Sequence, residues 1–109
     1  MSLADKQCVP CRGGVPPLEH DAIAPLARQV PQWEVVEERK IRRSFALPDF
    51  AAALQLANRI GAEAEAQGHH PDLYLAWGKV EVEIWTHKVG GLTESDFILA
   101  ARIDRIAGA

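Results

Sequence analysis

Apolar and polar residues change period several times along this chain, and each change predicts an element. Over residues 21–30 the apolar positions Ile23, Leu26, Ala27 and Val30 fit one face of a short helix. Pro25 is tolerated only in a first turn, which predicts a start near His20 or Asp21, and Pro31 predicts the stop. Trp33 and Val35 then alternate with polar neighbours, as do Ile41 and Phe45. That period predicts two strands with a turn at Glu37-Glu38, although no Asn-Gly-type signal marks it. Residues 48–67 return to a helical pattern. Alanine, the best helix former, occupies seven of these positions. Phe50, Ala53, Leu54, Ala57 and Ile60 recur at three-and-four spacing and predict the core-facing stripe. Gly68 stands where a left-handed cap is expected, and Pro71 prevents continuation.

Residues 73–76 and 79–87 predict a second hairpin across Trp77-Gly78. In the longer strand Val80, Val82 and Ile84 point one way, and Glu81, Glu83, Trp85 and His87 the other. Gly90-Gly91 turns the chain. Thr93-Glu-Ser-Asp96 is similar to a capping box, with Asp in place of the usual Glu or Gln. The helix that follows carries Leu99, Ile103 and Ile106 on one side, with Phe97, Ala100 and Ala101 beside them. The order is α-β-β-α-β-β-α. Strands arriving in hairpins predict an α+β domain: a four-stranded antiparallel sheet with three helices packed on one face. Residues 1–17 read as an irregular N-terminal arm and 18–109 as the folded domain.

With 109 residues the chain has the size of one domain, able to bury a core without staples. Its formal charge of −3, from 15 acids and 12 bases, excludes the clustered cationic footprint of a nucleic-acid binder. The one basic concentration, Arg39-Lys40-Ile41-Arg42-Arg43, reads as a solvated strand face. No apolar run approaches the roughly 20 residues that span a bilayer, so no membrane role is expected. The start lacks a basic-then-apolar secretion pattern, and the expected location is cytoplasmic. Cys8-Val-Pro-Cys11 is a C-x-x-C pair in a segment rich in Pro and Gly. Two thiols are half a structural zinc site, so the expectation is a loose, reduced arm. Zinc shared with His20 or a second subunit, or a redox pair, are the alternatives.

Chemistry concentrates later in the chain. Three of the four histidines, His69, His70 and His87, fall within 19 positions, each beside a predicted element end. Imidazole exchanges protons near neutral pH, and such groups beside a carboxylate suit proton-transfer catalysis. Glu65 precedes His69 by one helical turn, so its carboxylate is expected to reach that ring and fix its tautomer. Asp96 is expected to cap the last helix and to support the loop after His87. A metal site would need His69 or His70 with His87 and either Glu65 or Asp72. No helical metal pattern such as H-E-x-x-H is present, and no metal is expected. Trp77 and Trp85 could stack on a flat heterocycle, while Trp33 reads as core. There is no Ser-His-Asp set and no glycine-rich phosphate loop.

Glu65-x3-His69-His70-Pro71, then Tyr74, Thr86-His87 and Gly91-Leu-x3-Asp96, resembles the pterin-4a-carbinolamine dehydratase family. The resemblance runs from about residue 18 to 107 and leaves the Cys8–Cys11 arm outside. Where animal members carry a tryptophan two residues after the proline, this chain has Leu73. The resemblance implies dehydration of 4a-hydroxytetrahydropterin to quinonoid dihydropterin, a step in tetrahydrobiopterin recycling for aromatic amino-acid hydroxylases, with no cofactor. It implies His69 and His87 as the acid/base pair, His70 as the group gripping the pterin, and Glu65 as an orienting residue. Gly68, Pro71, Thr86 and Lys88 would complete the pocket. It also implies a homodimer or homotetramer. Two rival readings are a protein-binding module, since animal members partner a transcription factor, and action on a pterin of molybdenum-cofactor metabolism.

Overall fold

The computed structural model describes residues 2–8 and 15–108. After a single 3-10 turn, Leu3–Asp5, come α1 (His20–Ala27), β1 (Glu34–Val36), β2 (Lys40–Ala46), α2 (Phe50–Gln67), β3 (Asp72–Ala76), β4 (Lys79–Ile84) and α3 (Glu94–Ala107). The strands form one antiparallel sheet in the order β1-β2-β4-β3, so the two hairpins join through β2 and β4. The expected α+β architecture is the observed one.

The sheet has one greasy face and one charged face, as the alternation predicted. Ile41 and Phe45 of β2 and Val80, Val82 and Ile84 of β4 are buried with Ile60 of α2 and Phe97, Leu99 and Ile103 of α3. The helices therefore cover one side. On the other side Glu83 takes hydrogen bonds from Lys40 (3.1 Å) and Arg42 (3.3 Å), and Arg42 also reaches Glu34 (3.2 Å). Burial works to raise the Glu83 carboxyl, but its bonds to Lys40 and Arg42 outweigh this and hold it below the usual carboxylate range. The charge of Glu83 in turn pushes the Tyr74 phenol up. The basic run is thus split by the pleat. Lys40 and Arg42 face outward, whereas Arg43 points under the helices, where it lies over the Phe45 ring and binds Asp104 at 2.6 Å.

Several boundaries depart from the sequence reading. Pro25 lies in the second turn of α1, not the first, and has no N–H to offer Asp21, so the helix ends at Ala27 and tightens into 3-10-type bonds up to Val30. The turn falls at Glu37-Glu38 as expected, but both residues adopt left-handed φ (53° and 57°), which fits a hairpin of this twist and costs non-glycine residues locally. The buried stripe of α2 is Ala53, Leu56, Ile60 and Ala64; Phe50 and Leu54 are 45% and 41% exposed. Asp49, accepting from the Ala52 N–H at 2.8 Å, caps the helix and starts it two residues later than predicted, which leaves Phe50 in its exposed first turn. β4 stops at Ile84, so His87 belongs to a turn and not to the strand.

The first described residues of the arm are docked, against the expectation of a loose arm. Leu3 and Ala4 are buried, with Leu3 belonging to the core, and their turn packs against α3. An isolated leucine in a polar stretch gives no periodic signal, so its docking was illegible in the sequence. Cys11 and the rest of 9–14 lie outside the described residues, and with them half of the C-x-x-C pair.

Candidate active site

The site is built where the exit of α2 meets the loop between β4 and α3. Gly68 leaves α2 in the left-handed region (φ 65°), its N–H bonding the Glu65 carbonyl while the His69 N–H returns to Ala64 at 3.2 Å. This paired reversal fixes the direction in which the chain leaves the helix. It turns His69 inward and leaves His70 outside.

His69 is 8% exposed and its Nε2 lies 2.6 Å from Oδ1 of Asp96, a carboxylate with no exposed surface at all. The other carboxylate oxygen accepts from the Thr86 hydroxyl (2.9 Å) and from the Thr93 backbone N–H (2.8 Å). Thr86 and Thr93 hydroxyls also meet at 2.9 Å. In the neutral tautomer in which Nε2 donates to Oδ1, the carboxylate accepts at both of its oxygens. The remaining ring nitrogen, Nδ1, is left with its lone pair. Asp96 thus caps α3, as expected, and also anchors both halves of the site.

His70 is exposed, and its Nε2 meets Oε2 of Glu65 at 2.5 Å. The expected contact of Glu65 with His69 is not the one formed: Glu65 meets His70, because the Schellman-type exit rotates His69 under the helix. The partner of His69 is Asp96, 27 residues downstream, which sequence spacing assigned only a supporting role. The capping box hinted at that aspartate, but nothing local showed that its second oxygen would face a histidine.

The loop from Thr86 to Gly91 is a closed turn. The Thr86 N–H bonds the Gly91 carbonyl at 2.8 Å, and the Gly90 N–H returns to Thr86 at 3.0 Å. Gly91 is needed because a Cβ there would sit 2.6 Å from Pro17, while the Leu18 N–H fastens the same strip to Leu92 at 2.8 Å. On this turn Thr86 is buried, and His87 and Lys88 are exposed. The His87 ring stands edge-on to Trp85, with centroids 4.7 Å apart. Trp85 is half-buried, and its buried indole N–H has no acceptor among the described residues. Pro71 is half-buried behind His70. Trp77, 71% exposed, sits at the far end of β3 from the histidines and is removed from any stacking role there.

Among the described residues no three His, Cys, Asp or Glu side chains gather as a metal-holding set. The arrangement instead offers one buried imidazole backed by a carboxylate, and two exposed imidazoles on flanking turns. Such groups can hand protons to and from a small molecule lying over the junction.

The chain matches the model of the pterin 4 alpha carbinolamine dehydratase family over residues 16–106. It is 55% identical over 104 residues to a protein of Rubrobacter xylanophilus that bears the provisional name pterin-4-alpha-carbinolamine dehydratase, covering 95% of this chain and 97% of that one. A protein of Methylococcus capsulatus with the same provisional name is 46% identical over 107 residues, covering 97% and 94%. The crystal structure of a transcriptional coactivator/pterin dehydratase from Brucella melitensis superposes with a TM-score of 0.78 at 32% identity, covering 84% of this chain and 99% of that one. On these matches and this fold, the chain belongs to the pterin-4-alpha-carbinolamine dehydratase family of hydro-lyases.

Proposed function

We propose that this chain dehydrates 4a-hydroxytetrahydropterin to quinonoid dihydropterin by histidine acid/base catalysis, and that it does so in tetrahydrobiopterin recycling. The observation that carries the mechanism is the buried 2.6 Å contact between His69 and Asp96 at the mouth of a junction rimmed by exposed imidazoles. In the reaction the C4a–O bond breaks. A protonated imidazole supplies the proton that lets hydroxide depart as water, while a neutral one removes the proton from the adjacent ring nitrogen, whose electrons form the new C=N bond. One proton is given and one taken, so the net count is unchanged, and the two imidazoles return to their starting states by proton exchange with solvent. His69 and His87 share these two tasks. Asp96 holds the His69 ring with Nδ1 available and compensates its charge when it takes up a proton. His70, oriented by Glu65, grips the heterocycle, and Gly68, Pro71, Thr86 and Lys88 shape its surroundings.

The test is stopped-flow absorbance of 4a-hydroxytetrahydropterin with the purified chain before and after exhaustive chelation. Dehydration should exceed the uncatalysed rate by orders of magnitude and be unchanged by chelation. Loss on chelation, restored by one metal, overturns the acid/base reading.

The location we infer is the cytoplasm; no helix among the described residues is long and apolar enough to cross a membrane. We also infer a homodimer or homotetramer. The support is an open edge: β3 lies at the end of the sheet with Tyr74 and Leu75 exposed, and Trp77 beyond it and Phe50 and Leu54 of α2 are also exposed. Of the tryptophans, Trp85 is half-buried and Trp33 buried, so Trp77 is the one left in water. Light scattering at micromolar concentration should return at least twice the 12.0 kDa chain mass; a monomer refutes the edge argument. A protein-binding role is the second reading, favoured by the coactivator title of the Brucella melitensis structure and by the same exposed surface.

A further inference from the structure

Residues 2–8 run along α3 against its direction and end beside the histidines. Arg105 holds Asp5 at 2.9 Å near the C-terminal end of α3. One turn back, Arg102 donates to the Lys6 carbonyl (2.8 Å) and at the same time to Glu63 of α2 (3.0 Å). At the N-terminal end of α3, the Lys6 ammonium pairs with Glu94 (2.9 Å) and the Cys8 thiol lies 3.4 Å from the Ser95 carbonyl. The Cys8 backbone N–H donates to Oε1 of Gln67 at 3.0 Å. Gln67 is the last residue of α2, two before His69, and Ser95 directly precedes Asp96. Thus Cys8 bridges the two segments that carry the buried His69–Asp96 contact.

This bridge adds to the exit bonds of Gly68 and His69 and to the Arg102–Glu63 pair that joins α3 to α2. Gly68 itself is exposed, and a Cβ built on it would meet nothing within 4 Å, so no side chain packs over that residue. Across the junction, the His69–Asp96 contact and the Gln67–Cys8–Ser95 link both tie the α2 exit to the start of α3. The match to the family model starts at residue 16, after this strap, whereas the relatives that cover 95% and 97% of the chain reach into it.

We propose that Gln67 is a positioning residue which, clamped by the docked segment 2–8, sets the register of His69 against Asp96. The inference rests on the dehydratase reading given above. Small errors of placement at such a pair are costly, about 10²-fold in rate for a misplacement near 1 Å. A partial loosening should cost less.

The test uses the full chain carrying Gln67→Ala or Gln67→Glu, read by kinetics and by 15N NMR of the His69 ring. Gln67→Ala should lower kcat by roughly 3- to 10-fold with KM unchanged, because positioning acts in the transition state and not on substrate uptake. It should also broaden or double the His69 ring signals. Gln67→Glu keeps an acceptor for the Cys8 N–H and should restore both readouts. A Gln67→Ala protein that melts earlier yet keeps the parent kcat and a single sharp His69 signal overturns the proposal, since that is a structural role only. So does a Gln67→Glu protein as impaired as the alanine variant. If the parent chain itself lacks dehydratase activity, the functional reading fails, and the His69 signals alone decide whether the clamp positions the pair.

Discussion

Asp96→Asn is expected to lower kcat for pterin dehydration by about 10²–10³-fold while leaving the chain folded. The carboxylate accepts at both oxygens, from His69, Thr86 and Thr93. An amide in its place keeps one accepting oxygen, enough for Thr86 and the cap of α3. Its NH2 then faces His69 Nε2 and requires a lone pair there, which moves the ring proton to Nδ1. The lone pair on Nδ1 is then lost. The same exchange in the serine-protease triad, by the same change of tautomer, costs about 10⁴. Asp96→Ala should instead damage the fold. It would strand a buried histidine N–H, a buried hydroxyl and a helix-cap N–H, each at about 1–3 kcal/mol. Against a total stability of roughly 5–15 kcal/mol that is a large share. Stopped-flow rates with thermal melts of both variants check this, and an Asn variant within threefold of the parent rate removes Asp96 from the mechanism.

Separating the histidines gives the second large effect. His69→Ala and His87→Ala should lower kcat by about 10²-fold or more, since each removes a proton-transfer group. His70→Ala should raise KM by about tenfold with kcat nearly kept, because a gripping group stabilises ground and transition states alike. The three positions also differ in folding. His69→Ala leaves the buried Asp96 carboxylate without its ring donor, a loss of about 1–3 kcal/mol, so His69→Gln, which offers an amide N–H to Asp96, serves as its folded counterpart. His70 and His87 are exposed and should melt like the parent. Full retention of rate and affinity in all three misplaces the site, whereas exchanged roles would leave the site in place and revise only its division of labour.

The elements were legible because period and punctuation agree: alternation in β2 and β4, alanine density in α2, and Gly68 and Pro71 at its exit. What failed was phase and distance. The α2 stripe was misphased by Phe50 and Leu54, apolar residues that the helix leaves exposed, since a 3.6 period accepts two neighbouring registers and only the packing partner selects one. Glu65 was assigned to His69 from spacing along a helix that has already ended there; the left-handed residue at 68 rotates the following side chains out of helical register. Asp96 read correctly as a cap, yet its second partner arrives from 27 residues away, a separation that no local pattern encodes. Leu3 was invisible for a related reason, as its burial depends on a groove along α3 and not on its own neighbours.

The placement of the pterin is tested most directly by NMR titration of the labelled chain with a non-reacting dihydropterin. Saturable shifts should concentrate on the backbone of 68–71 and 86–91 and on the rings of His69, His70 and His87. The Trp77 indole, at the far end of β3, should stay still. Shifts that gather around Trp77, Phe50 and Leu54 with the histidine rings unmoved would contradict the site.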